Sequence, residues 1–305
     1  MWISGSTLSI SQRTLLPEHP RSQLHEQAHE LSHDLIQSYG ARHATRAALD
    51  FARSYAPFEF VSGGDFLRIP VALDSHSRVE LPEGYGMKGG AAREALVKTL
   101  KIREAREPRD LDVVRRGAHR VPRDEEVARR YMARDFIHGA RIELIKDIAT
   151  HLASRDLTIN EVVVVDGHLS ASLLCVLDTL GQVLRPSRYR SGSLHRKPTL
   201  VGQSLLKMIR LYAEGACAGE GWLLTGIPEE ASFSDFDLAV HLNKAFQRGR
   251  PVAERFLHTC AVLSLIAVSD DPVRDALREL EHLRHGERGL LPDVPAEEWA
   301  ALDVP

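Results

Sequence analysis

The sequence predicts an α+β fold: a small mixed sheet within residues 81–186, followed by an all-helical C-terminal region at 187–305. Three observations carry this. Short β-rich runs ("GYGMK", "DLDVV", "ARIELI", "EVVVVDG" and "QVLRP") crowd the middle of the chain. The helical stretches "AAREALVKTLKIREA", "RDEEVARRYMARDF" and "SASLLCVLDTL" separate them, as in a unit built round one main sheet. Beyond residue 187, apolar residues recur at helical spacing.

Taken in order, residues 1–80 form a mostly polar, helical N-terminal extension. Apolar positions in 21–54 have helical spacing, interrupted near Gly40, and "APFEF" and "VSGGDF" punctuate the stretch from 56 to 66. In the middle region "EVVVV" shows no polar alternation, which predicts a strand covered on both faces. In the last region Leu205, Met208, Ile209 and Tyr212 make a helical stripe, with Gly215 expected to end that helix. Ser234 and Asp237 have the spacing of a capping box opening a helix that runs to Phe246. Asp271 and Pro272 open another helix, with Gly286 past its end.

The net charge is −3, so no global field draws the chain to nucleic acid, and such binding would need a local patch. Three widely spaced cysteines, Cys175, Cys217 and Cys260, argue against a disulfide framework and for a reducing compartment. The first residues lack the basic flank and apolar run of a signal peptide. The longest apolar run, "CAVLSLIAV", is too short to span a bilayer. These features predict a cytoplasmic protein with no membrane partner.

The chemistry concentrates in "KGGAAREAL" and "EPRDLDVV". A strand entering Gly89-Gly90 and then a helix makes a turn where backbone approaches a ligand closely, and helix N–H groups suit a phosphate. Lys88 and Arg93 add positive charge there. Asp110 and Asp112 are two residues apart on a strand, so their carboxylates point the same way. Like charges side by side call for a cation between them, and one or two Mg2+ ions bridging a triphosphate would supply it. Glu143, in "ARIELI", is a third carboxylate if its strand pairs beside the first; a solvent-facing strand residue is the alternative.

"KGGAAREAL", "PRDLDVV", "RIELI" and "SRDLTIN", in that order, resemble the head domain of the tRNA nucleotidyltransferase and poly(A) polymerase family, the CCA-adding enzymes and their polyadenylating relatives. The resemblance covers roughly residues 84–215. It implies a nucleotidyltransferase head at 81–186 and a helical neck and body at 187–305. By it, Asp110 and Asp112 bind the catalytic Mg2+, and Gly89, Gly90 and Arg93 lie along the triphosphate. Arg155, Asp156 and Asn160 help build the nucleotide pocket, and Glu143 matches the acidic strand position, where a catalytic carboxylate helps position the metal or the attacking hydroxyl. The implied reaction is in-line attack by an RNA 3′ hydroxyl on the α-phosphate of a nucleoside triphosphate.

The sequence departs from the family at Ser154, where the pattern has an arginine, and at "QSLLK", where the base-reading helix has Glu-Asp-x-x-Arg. Gln203, Ser204 and Lys207 stand there, which favours terminal or polyadenylating transfer, or another acceptor, over strict CCA addition. Between Asp178 and Glu214 no acidic residue occurs, while Arg185, Arg188, Tyr189, Arg190, His195, Arg196, Lys197, Lys207 and Arg210 do. That bias suits RNA or triphosphate, with Lys207 and Arg210 as nucleotide contacts; a solvated basic surface is the plainer reading.

Other readings are a transferase acting on a non-RNA acceptor or modifying tRNA as a toxin, and a non-catalytic nucleotide- or RNA-binding protein. A third is a zinc protease using "HEQAHELSH", with His29, His33 and Glu30 on one helix and Glu26, His43 or Asp50 as third ligand. A His-rich polar helix accounts for that string more simply.

Overall fold

Val162, Val163 and Val164 are fully buried and Val165 is nearly so. They sit in the middle strand of a seven-stranded sheet, each side chain contributing roughly 1.5–3 kcal/mol through its burial. The computed structural model describes residues 12–37, 42–61, 66–70, 81–107, 111–132, 142–187, 198–228, 231–284 and 290–302.

In chain order the elements begin with β1 (Gln12–Leu15), α1 (Gln23–Gln37), α2 (Arg42–Arg53), β2 (Glu59–Val61) and β3 (Phe66–Pro70). The middle holds β4 (Tyr85–Lys88), α3 (Gly89–Thr99), β5 (Asp112–Arg116), α4 (Pro122–Tyr131), β6 (Glu143–Ile145) and α5 (Ile148–Ala153). Then come β7 (Val162–Val165), β8 (His168–Ser172), α6 (Leu173–Leu180) and β9 (Val183–Leu184). The last part holds α7 (Pro198–Cys217), β10 (Leu223–Pro228), α8 (Asp235–Phe246), α9 (Arg250–Val262), α10 (Pro272–Leu280) and α11 (Ala296–Ala300).

The chain forms two compact units: the described residues of Arg21–Val183 with Ser187, and those of Met1–Pro20, Leu184–Pro186 and Ser191–Pro305. In the first, the sheet order is β2-β3-β8-β7-β4-β5-β6. β5 and β6 are parallel and the remaining pairs antiparallel, so the sheet is mixed. Val162 and Val164 pack with Ala91, Ala95 and Leu96 of α3 and Cys175 and Leu177 of α6. Val163 faces the other way, onto Val114, Ile145 and Leu152. Alternation along β7 therefore builds two cores, one on each face, and explains a strand with no polar position.

In the second unit α9 packs on α7 and α8 round buried Leu205, Ile209, Leu238, Leu242 and Phe256. The expected capping box is present: Asp237 N–H donates to Ser234 Oγ at 3.2 Å, and Ser234 N–H to Asp237 Oδ2 at 3.0 Å. Asp271 likewise accepts from Arg274 N–H at 3.1 Å. Among the described residues no helix is long and apolar enough to cross a membrane.

Three expectations change. Among the described residues of 1–80, those from Gln23 onward do not form a separate extension: β2 and β3 join the seven-stranded sheet, and α1, α2 and α6 share one core. The C-terminal region is helical but not wholly so, because β10 pairs antiparallel with β1. Gly215 does not end α7; the helix continues to Cys217, and a Cβ at Gly215 would collide with the Trp222 indole. Its missing side chain is room for a ring rather than a stop signal. Gly40 and Gly286 lie outside the described residues.

Candidate functional site

β4 runs directly into α3, and the chain turns at Gly89-Gly90, the first two residues of that helix. Lys88, the last strand residue, is extended, whereas Gly89 has φ +62, a conformation that disfavours a side chain. Lys88 lies opposite Asp112 on β5, and Glu143 on β6 lies opposite Val114. Directly opposed residues share a face, and so do positions two apart on one strand. Lys88, Asp112 and Glu143 therefore project from one side of the sheet. An ideal Cβ on Gly89 would sit 2.5 Å from Asp112 Oδ2, so the carboxylate is seated against the turn.

α5 begins at Asp147, whose Oδ2 accepts from Thr150 N–H at 2.7 Å, and carries His151 to Glu143. The Glu143 carboxylate meets three basic groups. Lys88 Nζ donates to Oε2, Arg155 Nη2 donates to Oε1 at 3.0 Å, and His151 Nδ1 lies 2.9 Å from Oε1. Burial pushes the Glu143 carboxyl up, but the His151 hydrogen bond with the Lys88 and Arg155 charges outweighs it and holds the group well below the usual carboxylate range. Burial pushes His151 below its ordinary value, with the Arg155 and Lys88 charges acting the same way against its bond to Glu143. The neutral ring then donates through Nδ1, and its buried Nε2 has no partner among the described residues.

Ser154 supports this arrangement, accepting from Arg155 Nη2 at 2.8 Å, while Arg155 Nε donates to His151 O at 3.1 Å. On the other side of the turn, Arg93 of α3 donates to Asn160 Oδ1 at 2.7 Å, and Asn160 Nδ2 donates to Asp156 Oδ1 at 2.6 Å. Arg93 Nη2 lies 3.9 Å from an ideal Cβ on Gly90.

The structure thus gathers Gly89, Gly90, Arg93, Asp112, Glu143, Arg155, Asp156 and Asn160 in one unit. Asp110 lies outside the described residues, as do Arg188, Tyr189, Arg190, His195, Arg196 and Lys197. Lys207 and Arg210 belong to the other unit, on α7, where Arg210 is buried and ion-paired with Glu214. Gln203 is tied to the α8 cap, its Nε2 donating to Asp237 Oδ1 at 2.7 Å. One residue joins the site that sequence reasoning left out of it: His151, which had no signal at all. Lys88, expected to add positive charge at the turn, donates to the Glu143 carboxylate.

Magnesium takes hard oxygen donors, keeps several waters and needs one or two carboxylates plus substrate phosphates. Asp112, beside a turn cleared of side chain, is such a donor. Among the described residues no three His, Cys, Asp or Glu gather into a metal-holding group. Of the zinc candidates, His29 and His33 have ring centroids 6.4 Å apart. Glu26 accepts from Arg21 Nε at 2.6 Å and Asp50 from Arg53 Nη1 at 3.1 Å, while the His43 side chain lies outside the description.

No protein-family model matches the chain, and no curated protein matches it.

Proposed function

We propose that this chain is a metal-dependent nucleotidyltransferase that moves a nucleoside monophosphate from a triphosphate to an RNA 3′ end. The observation that supports it most is the seating of the Asp112 carboxylate against the Gly89 turn, in the same unit as Arg93, bonded to Asn160, and as Lys88 and Arg155, both bonded to Glu143. A phosphate chain needs backbone N–H groups and positive charge, and the start of α3 and these three side chains supply both.

In the proposed reaction the RNA hydroxyl oxygen forms a bond to the α-phosphorus and gives up its proton to solvent water. The bond from that phosphorus to the bridging oxygen breaks, and pyrophosphate leaves. Asp110 and Asp112 would hold Mg2+, which would supply charge neutralisation and a lower pKa for the attacking hydroxyl. The Gly89-Gly90 turn lets the phosphates approach the backbone. Arg93, fixed by Asn160 and Asp156, presents its guanidinium beside them without losing freedom on binding.

The test is to incubate the full chain with radiolabelled nucleoside triphosphates, Mg2+ and total RNA. Label should enter RNA and should disappear in Asp110→Ala/Asp112→Ala. Transfer that survives the double substitution overturns the reading, and ATP binding without any transfer assigns the site to a binding module instead.

A further inference from the structure

The Glu143 carboxylate is held as a bound phosphate would be held. Arg155 Nη2 and His151 Nδ1 are on one oxygen and Lys88 Nζ is on the other. These are side chains from three places in the chain, β4, α5 and the segment after α5, converging on one anionic group. Three donors converge on one carboxylate, and a terminal phosphoryl group, with three oxygens and a higher charge, suits that many donors better than a carboxylate does. Glu143 is also one-third exposed at the first residue of a three-residue strand, so its side chain can leave for solvent without leaving a hole in the core.

We propose that Lys88, His151 and Arg155 form an anion site for the terminal phosphates of the substrate, and that Glu143 occupies it as an internal stand-in which the phosphates displace. Phosphoryl oxygens would take over the three donors, and the site would exchange one anion for another rather than open a charged pocket to water. That the anion is the tail of a nucleoside triphosphate depends on the function proposed above; the anion site itself does not. The arrangement makes Glu143 a competitor of the substrate, so its removal should tighten phosphate binding. A catalytic carboxylate would show no such gain.

The probe is pyrophosphate, titrated calorimetrically into the full chain in EDTA. Glu143→Gln should bind it about tenfold more tightly than the native chain. The gain should vanish in Lys88→Met/Glu143→Gln, because it comes from a lysine set free rather than from a weaker negative field. ATP should compete with pyrophosphate. Equal affinity in Glu143→Gln, or a gain that persists without Lys88, overturns the proposal. Pyrophosphate binding that ATP cannot displace overturns the triphosphate assignment and leaves the anion site. Should Glu143→Gln fail to fold, Lys88→Met and Arg155→Gln carry the test: each must weaken pyrophosphate about tenfold, and unchanged affinity in both rejects the site.

Discussion

Gly89 and Asp112 are packed so closely that a methyl group on the glycine would stand 2.5 Å from the carboxylate oxygen Oδ2. That spacing ties the backbone of the turn to the acid that the proposed chemistry needs. It yields the first prediction. Gly89→Ala faces both this clash and a left-handed φ of +62, and should lose about 1–3 kcal/mol of stability. Urea unfolding measures the loss. ATP titration of the folded variant should show weakened binding, because Asp112 or the turn must move. Native stability and native affinity together would contradict the close seating.

Asp124 anchors α4 to the sheet. It is 2 % exposed and accepts from Tyr85 OH at 2.8 Å, Arg115 Nε at 2.7 Å and Val121 N–H at 2.9 Å. Burial pushes its carboxyl up, but Arg115, the Val121 N–H and Tyr85 bring it from 3.8 down to about 2. A depressed carboxyl stabilises the fold above its unfolded pKa, and that contribution goes as pH falls through the folded one. The shift corresponds to roughly 2 kcal/mol. The stability gap between the native chain and Asp124→Asn should be constant above pH 5 and shrink between pH 4 and 2. A gap independent of pH would refute it.

Glu161 runs the other way. It is fully buried, with Ser172 Oγ donating to Oε2 at 2.5 Å and Ser187 Oγ donating to Oε1. Burial raises its carboxyl from 4.5 to about 7, with the Asp178 charge adding and the two serines opposing. A raised carboxyl stabilises the fold fully below pH 4.5, and the contribution is lost as pH climbs through about 7. The native chain should therefore lose about 3 kcal/mol relative to Glu161→Gln between those limits. Parallel stability curves for the two proteins would show that Glu161 titrates normally.

Gly215 makes a packing prediction. It sits inside α7, where alanine is ordinarily the better helix former by about 1 kcal/mol. Here a Cβ would strike the indole of Trp222, whose Nε1 donates to Glu220 Oε2 at 2.6 Å. Gly215→Ala should consequently destabilise, by about 1–3 kcal/mol, and should blue- or red-shift Trp222 fluorescence as the ring moves. Stabilisation would mean the ring has room to give way.

Local signals were the legible ones. The run of valines, the Ser234–Asp237 cap, the strand into Gly89-Gly90 and a strand within "DLDVV" were readable because each depends on neighbours along the chain, although that strand begins at Asp112, after Leu111, and Asp110 lies outside the described residues. β2 and β3 were missed although they flank "SGGD" as a hairpin does, since three and five residues are too few to show a period. β10 was missed for the same reason, inside a region that otherwise reads as helix. Gly215 was misread because a glycine that admits a ring looks, in sequence, like one that ends a helix. The partners of Glu143 were beyond reach: Lys88 lies 55 residues away, and only the register of β4, β5 and β6 joins them.

The most direct measurement of the central claim is a crystal structure of the chain with Mn2+ and a non-hydrolysable ATP analogue, read by anomalous scattering. The account predicts a manganese peak against the carboxylates of Asp110 and Asp112, with the phosphates lying over Gly89 and Gly90. Those two acids turned onto protein donors, with no peak beside them and the nucleotide elsewhere, would contradict it.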